Sequence, residues 1–391
     1  MYAKRTPSGS HWDSTPPPPP SWLGDQGGRS AYEMPDNRAS DHLMLHLNEN
    51  HFACNDALLC ALDSVDGQTL ARYPEQGNRA LSDCISELYQ VHPDEVLIQV
   101  GCSALLGELV NAFVEPGARV VLFRPSWSFY DYLVEGRGGS IVECPLRLGP
   151  AGYEFSRARF DAALTMHRPR LAIIGSPNNP TGNSLSSAVL SSLAQKHRET
   201  IFLVDETYLG FSGQARPPVS ETLRWTPNVG LLRSLSKFFG LAGIRIDFAF
   251  AASAVLRALH GAQPAFGVSA LDQRIAIARL RERSYTDRIA AQCQRSKALF
   301  LELINSSPGL RAYESEANFV LVRTSPGRAR AARDRLQAEG ITVAVKDLDG
   351  QDRHLRITLA RAEIMERVAS SLIDASRTPR GSRTPTRGAD R

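Results

Sequence analysis

Six short apolar runs, at residues 96–100, 119–123, 171–174, 201–204, 229–232 and 246–250, follow one another in the first two thirds of the chain. Helix-like patterns at 104–113, 128–136 and 185–196 stand between them. Runs of four or five apolar residues with no polar alternation suit strands buried on both faces. Helical segments between such strands indicate a mostly parallel sheet with helices on both sides. After residue 271 the pattern changes to a long helical stretch reaching about 304, strand-like segments at 319–322, 341–345 and 355–359, and helices at 328–339 and 362–375. These predict a second, smaller α/β unit. A chain of 391 residues is long enough for two or three such units.

Composition excludes several classes. No segment approaches the ~18 uninterrupted apolar residues of a membrane helix, and the first ten residues lack the apolar core of a secretory signal. The six cysteines form no C-x-x-C pair, so neither a metal site nor a disulfide framework is expected, and free thiols fit a reducing cytoplasm. The net charge of +4 sits in the stretch 377–391, with its five arginines and one aspartate. Residues 1–40 and 41–376 each balance to zero, so no basic face for nucleic acid is expected. The proline run 16–20 marks residues 1–40 as disordered, and the near-repeat around Arg377 and Arg383 marks 377–391 as a solvated tail.

Several motifs carry chemistry. Gly101-Cys102-Ser103 follows a strand and opens a helix, where backbone N–H groups and the helix dipole favour an anion. Ser234, Ser236 and Arg245 can add hydroxyls and a guanidinium to the same dianion. Lys237, framed by the two serines, suits a Schiff-base lysine beside an anchored phosphate. The apolar, glycine-rich residues 238–243 argue against a solvated surface lysine. Asp205 ends an apolar run, at the strand end where open α/β sheets bind ligands, although an isolated Val-Asp-Glu serves equally as a turn or cap.

Read together, Asn179 in Ser176-Pro177-Asn178-Asn179-Pro180-Thr181-Gly182, Asp205 and Tyr208 in Val204-Asp205-Glu206-Thr207-Tyr208, Lys237, and Arg245 stand in an order that resembles the class I/II aminotransferases. These are fold-type I enzymes that use pyridoxal 5'-phosphate, and the histidinol-phosphate aminotransferase branch is the nearest in pattern. The resemblance covers about 44–375. It implies a large cofactor-binding domain (76–270) with a seven-stranded sheet, a small C-terminal domain (271–376), and an N-terminal segment (41–75) packed with the small domain. It further implies a cytoplasmic homodimer with shared active sites, whose substrates are an amino acid and a 2-oxo acid.

Residue by residue, the resemblance assigns the cofactor phosphate to Cys102, Ser103, Ser234, Ser236 and Arg245, with Tyr73 reaching across from the neighbouring subunit. Asp205 holds the ring nitrogen protonated, Asn179 and Tyr208 serve the phenolic oxygen, and Trp127 stacks on the ring. Arg356 grips the substrate carboxylate, and Asn50 belongs to the substrate-side segment. Three positions depart from the branch: His51 replaces a proline, Asp247 replaces a glycine, and Ala344 replaces an arginine that holds a substrate phosphate. The loss at Ala344 implies an amino acid with an aromatic, imidazole or other unphosphorylated side chain. Lys346 is a partial substitute on the same strand face, so histidinol phosphate stays as the alternative. A decarboxylase, lyase or oxidase on the same fold is another.

Overall fold

Alternate residues of the apolar runs pack into two cores on opposite faces of one sheet. Ala172, Ile174, Phe202 and Val204 join one core, and Leu171, Ile173 and Leu203 join the other. A strand that fills two cores has no solvent face, which is why these runs show no polar alternation. Each of the larger side chains among them contributes about 1.5–3 kcal/mol on burial.

The computed structural model describes residues 42–63, 65–213, 219, 222, 226–260 and 266–377. The expected disordered N-terminal stretch, and the tail apart from Arg377, lie outside the described residues. The chain enters with β1 (Leu43–Leu45), α1 (Asp56–Leu59), α2 (Gly67–Ala71) and α3 (Arg79–Tyr89). Then come β2 (Val96–Gln99), α4 (Cys102–Phe113), β3 (Arg119–Arg124), α5 (Phe129–Gly136) and β4 (Ser140–Pro145). A small ribbon, β5 (Arg147–Leu148) and β6 (Tyr153–Glu154), leads to α6 (Arg157–His167) and β7 (Leu171–Gly175). Next are α7 (Ser187–Lys196), β8 (Ile201–Asp205), β9 (Val229–Ser234), β10 (Asp247–Phe250) and α8 (Ser253–His260). The remainder comprises α9 (Ala270–Arg281), α10 (Arg283–Asn305), β11 (Arg311–Ala312), β12 (Phe319–Arg323), α11 (Ala329–Ala338), β13 (Ile341–Lys346), β14 (His354–Thr358) and α12 (Ala362–Arg377).

The large sheet has seven strands in the order β2-β10-β9-β8-β7-β3-β4. Strands β4, β3, β7, β8 and β9 run parallel, and β10 is antiparallel to both neighbours. The direction of β10 has a consequence for the site: its first residue, Asp247, lies opposite Ser234 and Gln99, the last residues of β9 and β2. The edge strand β4 was not legible as an apolar run. Only Cys144 among its six residues is buried, so the strand shows no apolar run.

The second sheet runs β1-β13-β14-β12-β11. Its outer strand β1 comes from the start of the described chain and pairs parallel with β13, Leu43 opposite Ile341 and Leu45 opposite Val343. In β13 and β14, Ala344 lies opposite Arg356 and Lys346 opposite His354. Alternation within a strand puts Ala344, Lys346 and Arg356 on one face. No helix among the described residues is long and apolar enough to cross a membrane.

Candidate active site

A cavity of about 880 Å³ opens where β8 and β9 end and β10 begins, and the second sheet closes its far side. All the site residues expected from the sequence line it except Tyr73 and Asn50. Tyr73 is 81% exposed and stacks on Phe266, ring centroids 4.6 Å apart. Asn50 is not among the residues that line the cavity. Its amide donates to the Phe238 carbonyl at 2.8 Å and to the Tyr285 hydroxyl at 3.2 Å, which holds the segment in place instead of facing the cavity. Asn48 faces the cavity instead, with φ at +54°, a conformation asparagine tolerates. Its side chain donates to the Tyr208 hydroxyl at 2.9 Å.

At one end, Gly101 caps the start of α4 with φ at +87°. A Cβ there would stand 2.1 Å from Arg245 Nη2, so only glycine lets the guanidinium lie across the helix start. Arg245 Nη1 donates to Ser236 Oγ at 3.2 Å, and the Ser236 N–H donates to Ser234 Oγ at 2.9 Å. Helix N-terminus, two hydroxyls and guanidinium thus converge on one small volume. Cys102 also lines it, and burial pushes its thiol well above its ordinary value, as do the nearby Asp205 and Asp247.

In the middle, Asp205 ends β8 and is 5% exposed. Its Oδ2 accepts from the Tyr130 hydroxyl at 2.7 Å and its Oδ1 from the Thr207 N–H at 3.0 Å. Burial raises its pKa, and these two donors oppose that shift. Tyr130 was missed from sequence: a residue on α5, 75 positions away, has no local signal that its hydroxyl reaches Asp205. Trp127 packs edge-on to Tyr130 with centroids 5.5 Å apart. Lys237 follows β9, and its Nζ donates to the Leu47 carbonyl at 2.7 Å. Burial first, and Arg356 next, lower its pKa to about 8.

At the far end, Arg356 Nη1 donates to Asn179 Oδ1 at 2.6 Å, and Nη2 donates to the His46 carbonyl. The Asn179 amide donates in turn to the Tyr208 hydroxyl, 3.5 Å away. Tyr208 packs edge-on to Phe319. Lys346 and Ala344 line the same end, and burial lowers the Lys346 pKa to about 8.

The family model for aminotransferase class I and II matches residues 41–372. The chain belongs to this family. Among relatives of the aminotransferase, a histidinol-phosphate aminotransferase of Archaeoglobus fulgidus is 30% identical over 307 residues, covering 78% of this chain and 84% of that one. One from Thermobifida fusca is 28% identical and covers 90% of this chain and 94% of that one. Among solved structures, a histidinol-phosphate aminotransferase of Sinorhizobium meliloti in complex with pyridoxal 5'-phosphate has a TM-score of 0.77 and 27% identity, covering 86% of this chain and 91% of that one.

The fold is thus the fold-type I fold, and the enzyme is a pyridoxal-phosphate-dependent aminotransferase that exchanges amino groups between an amino acid and a 2-oxo acid. The residues present fit that cofactor. The donors gathered at the start of α4, with the Arg245 guanidinium lying against Gly101, suit a phosphate, and the buried carboxylate of Asp205 suits a cationic ring nitrogen. The Lys237 amine, with its lowered pKa, suits condensation with an aldehyde.

Proposed function

We propose that this aminotransferase takes an L-amino acid with an unphosphorylated, aromatic or imidazole side chain, and works as a cytoplasmic homodimer. The observation that carries the substrate reading is the pairing of Arg356 with Ala344 across β14 and β13 at one end of the cavity. The guanidinium can take an α-carboxylate on two parallel N–H bonds. Its neighbour Ala344 has neither charge nor hydrogen-bonding atom for a side-chain phosphate.

When bound, the cofactor supplies an aldehyde for condensation with amines and a ring that accepts electron density. Cys102, Ser103, Ser234, Ser236 and Arg245 bind its phosphate. Asp205, whose carboxylate form the Thr207 and Tyr130 donors favour against burial, would hold a proton at the ring nitrogen. Asn179 and Tyr208 serve the phenolic oxygen, and Trp127 covers a ring face. Lys237 would hold the cofactor covalently through its amine, and the same amine would serve as the base that takes up and returns the substrate Cα proton. With a pKa of about 8, its amine loses that proton more readily near neutrality than an ordinary lysine does. Tyr73, exposed and outside its own chain's cavity, serves the phosphate of a neighbouring subunit.

Histidinol phosphate is the second reading, favoured by Lys346 at the Arg356 end and by the named relatives. An ammonium is a point charge without the planar fork of arginine. Losing one of two charge-assisted contacts costs about 2–3 kcal/mol, or about 30- to 150-fold in specificity. Steady-state kinetics on histidine, phenylalanine and histidinol phosphate decide the matter. A higher kcat/KM for histidinol phosphate than for either amino acid would refute the unphosphorylated reading.

A further inference from the structure

Asp205, Asp247 and Asp334 are the carboxylates among the lining residues, and the chemistry above uses Asp205 alone. Asp334 pairs with Arg333 and is largely exposed. Asp247 is 1% exposed. Because β10 runs against its neighbours, its first residue lies at the edge where β2 and β9 end, beneath the start of α4. Oδ1 accepts from the Leu235 N–H at 3.1 Å, and Oδ2 has no hydrogen-bond partner.

The groups around it come from every adjoining element. From β9 and its loop come the Ser234 hydroxyl, the Leu235 N–H and Lys237; from α4, the N–H and thiol of Cys102; from the turn before β10, Arg245. From β2 comes Gln99, whose amide is held by Glu108 at 2.7 Å, and Asp205 stands beyond Cys102. Burial raises the Asp247 carboxyl to about 7, against the pull of Ser234, Arg245 and the two N–H groups.

Those donors are the ones the cofactor phosphate needs. An ionised Asp247 competes for the Ser234 hydroxyl, the Cys102 N–H and Arg245, and it repels a phosphate carrying about −1.5 to −2 charges. A neutral Asp247 does neither, and has an O–H to donate. We propose that Asp247 is a protonation-dependent member of the phosphate cradle: phosphate binding is coupled to uptake of one proton from solvent at its carboxylate, which then donates a hydrogen bond to a phosphate oxygen. The coupling makes cofactor retention weaken as pH rises, a property that a glycine at this position lacks. The inference rests on the phosphate cradle assigned above.

The test uses the full chain stripped of cofactor, and 4'-deoxypyridoxine 5'-phosphate as probe. The probe keeps the phosphate and cannot bond to Lys237, so lysine titration does not enter through the covalent bond. Its affinity is measured by equilibrium dialysis across neutral and mildly alkaline pH. Wild type should lose about tenfold per pH unit once Asp247 is ionised in the free protein. Asp247→Asn and Asp247→Gly should lose this dependence and bind more tightly than wild type in the alkaline range. Calorimetry in buffers of different protonation enthalpy should show about one proton fewer taken up by either variant. Should Asp247→Asn fold poorly, Asp247→Gly gives the same comparison. Parallel pH profiles in wild type and the folded variants, with equal proton uptake, overturn the inference. Arg245→Ala separates the two levels. It should bind the probe more weakly at every pH, and unchanged affinity there would remove the cradle assignment itself.

Discussion

Replacing Tyr130 by phenylalanine removes one hydroxyl and leaves the packing against Trp127 in place. That hydroxyl donates to Asp205 Oδ2 at 2.7 Å in a site where Asp205 is 5% exposed, and Thr207 supplies the other hydrogen bonds, from its side chain and from its N–H. A hydrogen bond to a charged group is worth about 1.5–3 kcal/mol. Its loss raises the Asp205 pKa further, and at ~1.36 kcal/mol per pH unit a hydrogen bond of that size corresponds to about one to two pH units on a pH–rate profile. The sign follows from burial, which already favours the neutral carboxyl; Tyr130 and Thr207 oppose it. Removing one donor lets burial win at a higher pH. The carboxylate needed to hold the ring proton is then lost as pH falls through that higher value. Tyr130→Phe should therefore move the acid limb of the kcat profile upward by about one to two pH units. It should also lower kcat near neutrality by about 10- to 100-fold, with a smaller change in KM. A kcat within twofold of wild type and an unmoved acid limb would show that Thr207 alone holds Asp205 ionised, and the reasoning would fail.

Other outcomes follow from the same geometry. Borohydride should fix the cofactor to a peptide containing Lys237, and Lys237→Ala should leave no reducible bond to the chain; a fixed cofactor in that variant rules out the assignment. Inactive Tyr73→Ala and inactive Lys237→Ala chains should regenerate activity after subunit exchange, because each mixed dimer keeps one intact site; no rescue despite proven exchange counts against the shared site. Ala344→Arg should raise kcat/KM for histidinol phosphate by about 10- to 150-fold, the worth of one restored charge-assisted contact; no gain would mean that Lys346 already holds a substrate phosphate.

The sheet was legible because a doubly covered strand is apolar at most positions, and six of its seven strands show this as short runs, broken by Gln99 and Asp247 and led by Arg119. β4 escaped for the converse reason. Ser140, Glu143 and Pro145 are exposed in this strand and leave no apolar run to read, whereas the other edge strand, β2, is buried at three of its four residues and was read. The antiparallel sense of β10 was also invisible, because strand direction is set by which edge the connection returns to, and the run 246–250 reads alike in both senses.

The cavity residues fell into two kinds. Those held by their own backbone were found. Lys237 and the serines follow one strand, Asp205 ends another, and Cys102 and Ser103 begin a helix whose N–H groups point one way. Those that reach the cavity by side-chain contact across the fold were missed, namely Tyr130 through Asp205, Asn48 through Tyr208, and Asp247 beside Ser234. The Asn48–Asn50 exchange shows why. Both asparagines lie in one short segment, and the choice between them depends on the +54° φ at Asn48 and on the Phe238 carbonyl and Tyr285 hydroxyl that claim Asn50 from 188 and 235 residues away. Local sequence determines which groups can bind a cofactor. The partners that hold those groups charged, neutral or turned aside come from elsewhere in the fold, and for Asp205 and Asp247 those partners set the chemistry.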